Sequence, residues 1–336
     1  MNNALHRLAQ VAAVAAFVVI VLGAYVRLSH AGLGCPDWPG CYGHVTWPTE
    51  THEITRAETA FPERPIESHK AWKEMVHRYL AGVLVLLVVA INFLAWKKKY
   101  RGLRLRGLAG TLLGLILFQA ALGMWTVTLK LLPLVVMSHL LGGLATFGLL
   151  LWLVWRSSPA VHPGDSRLRG SFRGLILAGL ALLMLQLALG GWTSANYAAL
   201  ACPDFPACQD QAWPQTNFPE GFTLWREIGV DYEGGLLDLP SRTAIHMAHR
   251  IGALATLIVL GILAIGLLRV PGLRKSGAAL AVLLGAQVLL GIQNVVFHLP
   301  LINAVAHNGM GAALLAMMLW LTWRSGAPAM RDAPLR

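Results

Sequence analysis

Four histidines, four cysteines and one glutamate carry most of the chemistry this sequence can offer. His77, His139, His249 and His307 stand in long apolar stretches, where an imidazole is costly and so marks a candidate functional site. For any one of them the plain alternative is a hydrogen bond to a neighbouring helix. The cysteines fall into two close pairs, Cys35/Cys41 in CPDWPGC and Cys202/Cys208 in CPDFPAC. Such pairs suit local disulfides in an oxidising compartment. Their five-residue, proline-containing spacers are longer than structural zinc sites favour, although metal binding, free thiols and thiol exchange stay open as alternatives. Glu74 precedes His77 by three residues, which on a helix sets both on one face. A carboxylate there can accept a proton or stabilise positive charge, or simply cap the start of its helix.

The elements that position these residues must be membrane helices. Of 336 residues 56% are hydrophobic and only 13% charged, which excludes a soluble domain as well as collagen-like, disulfide-dense and disordered classes. The formal charge of +11 gives nucleic-acid binding no support beyond its sign, because the charges sit at the ends of apolar runs. A helix crossing about 30 Å of hydrocarbon needs ~20 apolar residues, and eight runs qualify: 8–28, 77–96, 107–129, 133–155, 171–192, 243–268, 275–296 and 300–323. The first lacks a cleavage site followed by soluble sequence, so it is expected to stay as the first helix. Two long polar segments, 29–76 and 193–242, hold 14 of the 16 acidic residues, the exceptions being Asp165 and Asp332. The short connections and the C-terminal end carry Lys97, Lys98, Lys99, Arg101, Arg104, Arg106, Arg156, Arg167, Arg169, Arg173, Arg269, Arg274, Lys275, Arg324, Arg331 and Arg336. Positive residues mark the cytoplasmic side. The sequence therefore predicts a bacterial inner-membrane protein with both termini cytoplasmic and both long loops periplasmic or extracellular.

The halves of the chain match. Residues 35–41 pair with 202–208, His77-Arg78 with His249-Arg250, Gln119…Gly123 with Gln287…Gly291, and His139 with His307, at separations of 167, 172, 168 and 168. This predicts an all-α integral membrane protein of eight transmembrane helices arranged as two tandem-duplicated four-helix bundles. The domains are 1–156, with outward loop 29–76, and 157–336, with outward loop 193–242. With an even number of helices per unit the halves share one orientation, which brings all four histidines to one depth. Their repeat-equivalent placement outweighs the isolated packing reading. Two imidazoles on facing helices can ligate one iron from both faces of a porphyrin, so one heme per half is the expected count. Gly142, Gly143, Gly309 and Gly311 would let a flat ring approach, or another helix. Arg27, Arg78 and Arg250 suit heme propionates, or interface anchoring. Where the copies differ, Glu74 faces His246 in the alignment, suggesting one reactive half and one electron-holding half. Gln119, Gln186 and Gln287 read as interhelical hydrogen-bonders, and Trp96, Trp155 and Trp323 as interface anchors. His30, His44, His52 and His69 read as loop histidines, with contact to metal or substrate as the less common role.

Together these features resemble the heme A synthase family, membrane enzymes of cytochrome oxidase biogenesis. The resemblance is carried by Glu74-x-x-His77-Arg78, His249-Arg250, His139, His307, the CPDWPGC loop after Gly23-Ala-Tyr-Val-Arg27, and the eight-helix duplication, and it covers nearly the whole chain. It implies oxidation of the C8 methyl of heme O to a formyl group in two successive steps, through an alcohol and then a hydrated aldehyde that loses water. It makes His249 and His307 the axial ligands of a heme b cofactor, His77 and His139 the pair serving heme O, and Glu74 the functional acid. Cys35/Cys41 match the family's extracellular pair, whereas Cys202/Cys208 occur in only some branches. Heme O synthase is the implied partner, alongside membrane lipid. The rival is a diheme b-type electron carrier or quinone oxidoreductase subunit, which would hold two permanent hemes and change neither. A solute transporter ranks third, because the notable polar residues cluster at one side.

Overall fold

The computed structural model describes residues 4–97, 100, 105–158 and 164–326. Lys98, Lys99, Arg101, Arg104, Arg331, Asp332 and Arg336 lie outside them. Eight long helices are apolar enough to cross a membrane, making this a multi-pass membrane protein. They are α1 (Ala4–Leu28), α3 (Ser68–Ala95), α4 (Arg106–Thr128), α5 (Pro133–Ser157), α6 (Arg173–Ala195), α8 (Leu239–Arg269), α9 (Arg274–Val296) and α10 (Leu301–Ser325). A π-helical turn, Leu168–Phe172, leads into α6, and two short helices, α2 (Thr51–Ala60) and α7 (Phe218–Gly221), lie in the long loops. Among the described residues there is no strand.

Two helices begin well before their apolar runs. Helix α3 starts at Ser68, nine residues ahead of the expected 77, and α8 at Leu239 rather than 243. Hydropathy registers only the part that crosses hydrocarbon, whereas local bonding extends the helix into the interface. Lys70 pairs with Glu67 at 2.7 Å beside the first turn of α3, and Asp238 caps α8 by accepting from the Ser241 N–H at 2.9 Å. Glu74 thus lies on α3 together with His77, as their three-residue spacing predicts.

Helix α1 packs on α3 and α5, and α4 joins α3 to α5; α8 packs on α6 and α9, and α10 joins α9 to α6. The two groups meet through α1 with α10 and α5 with α6. Left-handed backbone residues recur at matching separations, His30 with Tyr197, Tyr42 with Gln209, Lys130 with His298 and Leu131 with Leu299. At the end away from the long loops, Trp152 and Trp155 of α5 interlock with Trp320 and Trp323 of α10, with ring centroids 5.0 Å apart for Trp152/Trp323 and 5.4 Å for Trp155/Trp320. Trp155 and Trp323 therefore also pack across the two groups, while Trp96 is 59% exposed.

The densest core fills the half of the molecule away from the long loops. Leu5, Ala9, Ile91, Leu112, Leu150, Leu263 and Met318 are completely buried there. Burial of such side chains is the main stabilising contribution, about 1.5–3 kcal/mol each. That core ends short of the histidines, all four of which are only half-buried.

Candidate functional site: four histidines seated on four glycines

Each histidine rests on a glycine of the preceding long helix. A Cβ on Gly23 of α1 would lie 2.9 Å from His77 Nε2. A Cβ on Gly123, Gly190 or Gly291 would lie 3.2, 3.2 or 3.1 Å from Cε1 of His139, His249 or His307. The seats belong to one motif written four times, Val19-Ile-Val-Leu-Gly23, Gln119-Ala-Ala-Leu-Gly123, Gln186-Leu-Ala-Leu-Gly190 and Gln287-Val-Leu-Leu-Gly291. Every long helix leading toward a long loop or tight turn carries the motif, and every returning helix carries a histidine. Sequence reading singled out Gly142, Gly143, Gly309 and Gly311 instead. Gly142 and Gly143 face Gln119, Gly309 faces Val21, and Gly311 faces Leu187. The signal for the true seats was the fourfold Leu-Gly pair, visible only when all four odd-numbered crossings are aligned.

The motif also supplies polar partners. Gln186 places Nε2 3.0 Å from both Nδ1 and the backbone oxygen of His249. Gln119 Nε2 donates to the His139 carbonyl, and Gln287 Nε2 lies 3.3 Å from Nε2 of His307. The imidazoles of His77, His139 and His307 face the backbone carbonyls of Val19, Gln119 and Gln287. His77 with His139, and His249 with His307, lie within electrostatic reach of each other. Nδ1 of His139 and of His307 is buried with no hydrogen-bond partner, an arrangement that costs about 1–3 kcal/mol unless something else satisfies it. Paired imidazoles on facing helices, seated on glycine, with one unsatisfied nitrogen in each pair, fit a planar iron macrocycle ligated from two sides.

Both cysteine pairs form disulfides, Cys35–Cys41 and Cys202–Cys208, with all four residues buried. The two loops are built alike. Asp37 accepts the N–H groups of Tyr42 at 2.6 Å and Gly43 at 2.8 Å; Asp204 accepts those of Gln209 at 2.7 Å and Asp210 at 2.9 Å, bonds that hold its carboxyl below the usual range. Arg78 then threads the first loop, donating to the carbonyls of Asp37, Pro39 and Gly40. Arg250 threads the second, donating to those of Cys202, Asp204, Pro206 and Ala207. Their Nη donors are therefore engaged by loop carbonyls, and Arg250 keeps a buried Nε without a partner.

Glu74, 5% exposed, accepts the Cys35 N–H at 3.0 Å and an Arg78 Nη donor. Its counterpart His246 instead meets the Ala198 carbonyl through Nδ1 at 3.0 Å. The acid thus ties the first disulfide loop to α3 one turn from His77, and the second half has no carboxylate there. Arg27 crosses between the helix groups, donating to the Ser194 carbonyl at 2.7 Å and lying 4.1 Å over the Tyr197 ring. His30 stacks on the same tyrosine. His44 and His69 lie 3.8 Å from Glu53 and Glu67. Among the described residues no cluster of three or more His, Cys, Asp or Glu side chains could hold a free metal ion. Arg64 joins the two long loops by pairing with Asp231 at 2.6 Å and Glu233 at 2.9 Å.

A curated protein of Shewanella oneidensis named heme A synthase is 49% identical over 302 residues, 90% of each chain. Proteins of the same name from Sphingopyxis alaskensis and Caulobacter vibrioides are 31% identical over 335 residues, 91% of this chain and 88% of the relative, and 28% identical over 339 residues, 93% of each. The model of the family described as cytochrome oxidase assembly protein matches residues 6–319, so the chain belongs to that family.

Proposed function

We infer that the chain is a heme A synthase, an oxidoreductase that converts the C8 methyl of heme O to a formyl group and so delivers heme A to cytochrome oxidase assembly. The observation that carries this reading is the set of four glycine-seated histidines in two facing pairs, in a chain 49% identical to a curated heme A synthase. The domain of residues 1–156 is the substrate half, with His77 and His139 serving heme O. The domain of residues 157–336 is the cofactor half, with His249 and His307 as ligands of heme b. Bound heme iron supplies the oxidative chemistry.

The protein orients and charges the site. Glycine seats bring each imidazole close to its neighbouring helix, while the glutamines hold ring or backbone in place. Glu74 is catalytic. Fixed by Cys35 and Arg78, it sets buried negative charge one helical turn outward of His77, where it stabilises positive charge developing at the substrate periphery. In the other half His246 is held in a structural bond to the Ala198 carbonyl, in keeping with a half that holds electrons. Arg27 and Arg250, each with a buried Nε lacking a partner, are the propionate contacts; Arg78 acts mainly through the loop and Glu74. The termini are cytoplasmic and the disulfide loops periplasmic, in the inner membrane, as the distribution of arginines and disulfides supports. Heme O synthase hands over the sparingly soluble substrate directly, which co-purification tests.

The test of the reaction is extraction. Protein purified from cells supplied with heme O is expected to yield heme A, or the hydroxylated intermediate, together with heme B. Heme B alone, near two per chain and indifferent to heme O supply, would instead identify a diheme electron carrier.

A further inference from the structure

Three of the four histidines have a glutamine four residues ahead of their seating glycine; His77 has Val19. A second difference accompanies the first. Gln186 fills the space that a side chain on Gly252 would occupy, Gln119 does the same at Gly142, and Gln287 Nε2 is 3.6 Å from the Cβ position of Gly311. These glycines follow their histidines by three or four residues, on the face one helical turn along. After His77 the corresponding residues are Leu80 and Ala81. Both the glutamine and the glycine opposite it are therefore missing at one site of four.

We propose that Gln119, Gln186 and Gln287 are positioning residues that restrain three of the histidines, and that His77, facing Val19, is the axial ligand that releases the exchanging porphyrin. This rests on the heme assignment above. A resident cofactor is best kept by two restrained ligands, and His249 and His307 each have a carboxamide within 3.3 Å of a ring nitrogen. A substrate that arrives as one heme and leaves as another needs one ligand that yields. In the substrate half, Gln119 grips the backbone of His139, whereas the His77 ring meets the Val19 backbone carbonyl with no glutamine at that position, which leaves His77 as the side that opens. The chain thus carries the cofactor-substrate distinction in its second layer of residues as well as in Glu74.

Heme transfer from the purified, heme-loaded full-length protein to excess apomyoglobin tests this, with each departing heme identified by chromatography. The double variant Val19→Gln/Leu80→Gly rebuilds the Gln186/Gly252 pair around His77. A hydrogen bond of ordinary strength predicts about fivefold slower loss of heme O or heme A from the substrate half, with a moved low-spin electron paramagnetic resonance signal for that heme. Gln186→Leu is expected to speed heme b loss about fivefold and to shift its signal and midpoint potential, while the substrate heme is unaffected. Gln186→Leu keeps the inference testable if the double variant does not fold. Unchanged transfer rates and signals in Gln186→Leu would overturn the proposal, and so would an unchanged rate in a folded double variant. His77→Ala and His249→Ala separate the two levels. If neither removes a low-spin heme signal, the ligand assignment itself is wrong; if each removes its own, only the positioning role stands or falls with the glutamine variants.

Discussion

Replacing Gly291 with alanine probes the seat beneath His307. The new Cβ would lie 3.1 Å from Cε1 and 3.6 Å from Nδ1 of the ring, where ordinary contact begins at 3.4 Å. The imidazole must therefore retreat by about 0.3 Å, more than the ~0.2 Å tolerance of a metal–ligand distance. It cannot move freely, because Gln287 stands 3.3 Å from its Nε2. Overpacking of this kind costs about 1–3 kcal/mol, a fall of roughly 5- to 150-fold in heme b affinity. Gly285 is the internal control, six residues earlier on the same helix with nothing within 4 Å of its Cβ position. Gly285→Ala should be neutral or stabilising by up to about 1 kcal/mol. Pyridine hemochrome content per purified chain, together with the low-spin spectrum, reads the difference. If Gly291→Ala carries as much heme b as Gly285→Ala with an unshifted spectrum, His307 does not hold iron from this seat.

Gly23→Ala, with its Cβ 2.9 Å from His77, should empty the substrate half while leaving heme b in place; loss of heme b instead would contradict the division of roles. Glu74→Gln preserves an acceptor for the Cys35 N–H and removes the charge, so it should keep both hemes and the disulfide yet abolish heme A formation, whereas Glu74→Ala should also loosen the loop; full conversion of heme O by Glu74→Gln would dismiss the charge argument. Burial pushes the Tyr42 phenol up to about 12 from an ordinary value of 10, and its hydroxyl donates to the carbonyls of Arg64 and Pro65. Its contribution is complete below 10 and is lost as pH rises through about 12, so Tyr42→Phe should flatten that stretch of the alkaline stability profile, and a wild-type-minus-variant tyrosinate absorbance titrating at 10 would argue against it. Arg64→Ala removes partly exposed ion pairs with Asp231 and Glu233, worth about 0.2–1 kcal/mol; the small drop in melting temperature should vanish at high salt, and a drop that survives salt would mean that packing, not charge, is lost.

The eight crossings were legible because hydrocarbon admits only long uncharged helices, and the four histidines because ionisable groups in that setting are rare. Helix starts were misplaced at α3 and α8, since Glu67–Lys70 bonding and the Asp238 cap act outside the apolar run. The glycine seats escaped because a glycine announces nothing about which neighbour it admits. Only the packing distinguishes Gly291, under an imidazole, from Gly285, beside none. Arg78 and Arg250 suit propionates or interface anchoring by residue type, and each also donates to a tight loop whose carbonyls converge on one guanidinium. No sequence spacing reveals that convergence.

The contact between Arg27 and Ser194 has an implication for assembly. These two positions are 167 residues apart, the same separation that relates the disulfide loops, so each stands in its own half where the other stands in the opposite half. One guanidinium fits there, reaching a carbonyl and lying over Tyr197. The acceptor is a backbone carbonyl, which any residue would offer, so the asymmetry of the junction lies in the guanidinium that residue 27 carries and residue 194 lacks. The contact therefore forms only once α1 and α6 have come together, and it joins the two helix groups through a single cation supplied by α1.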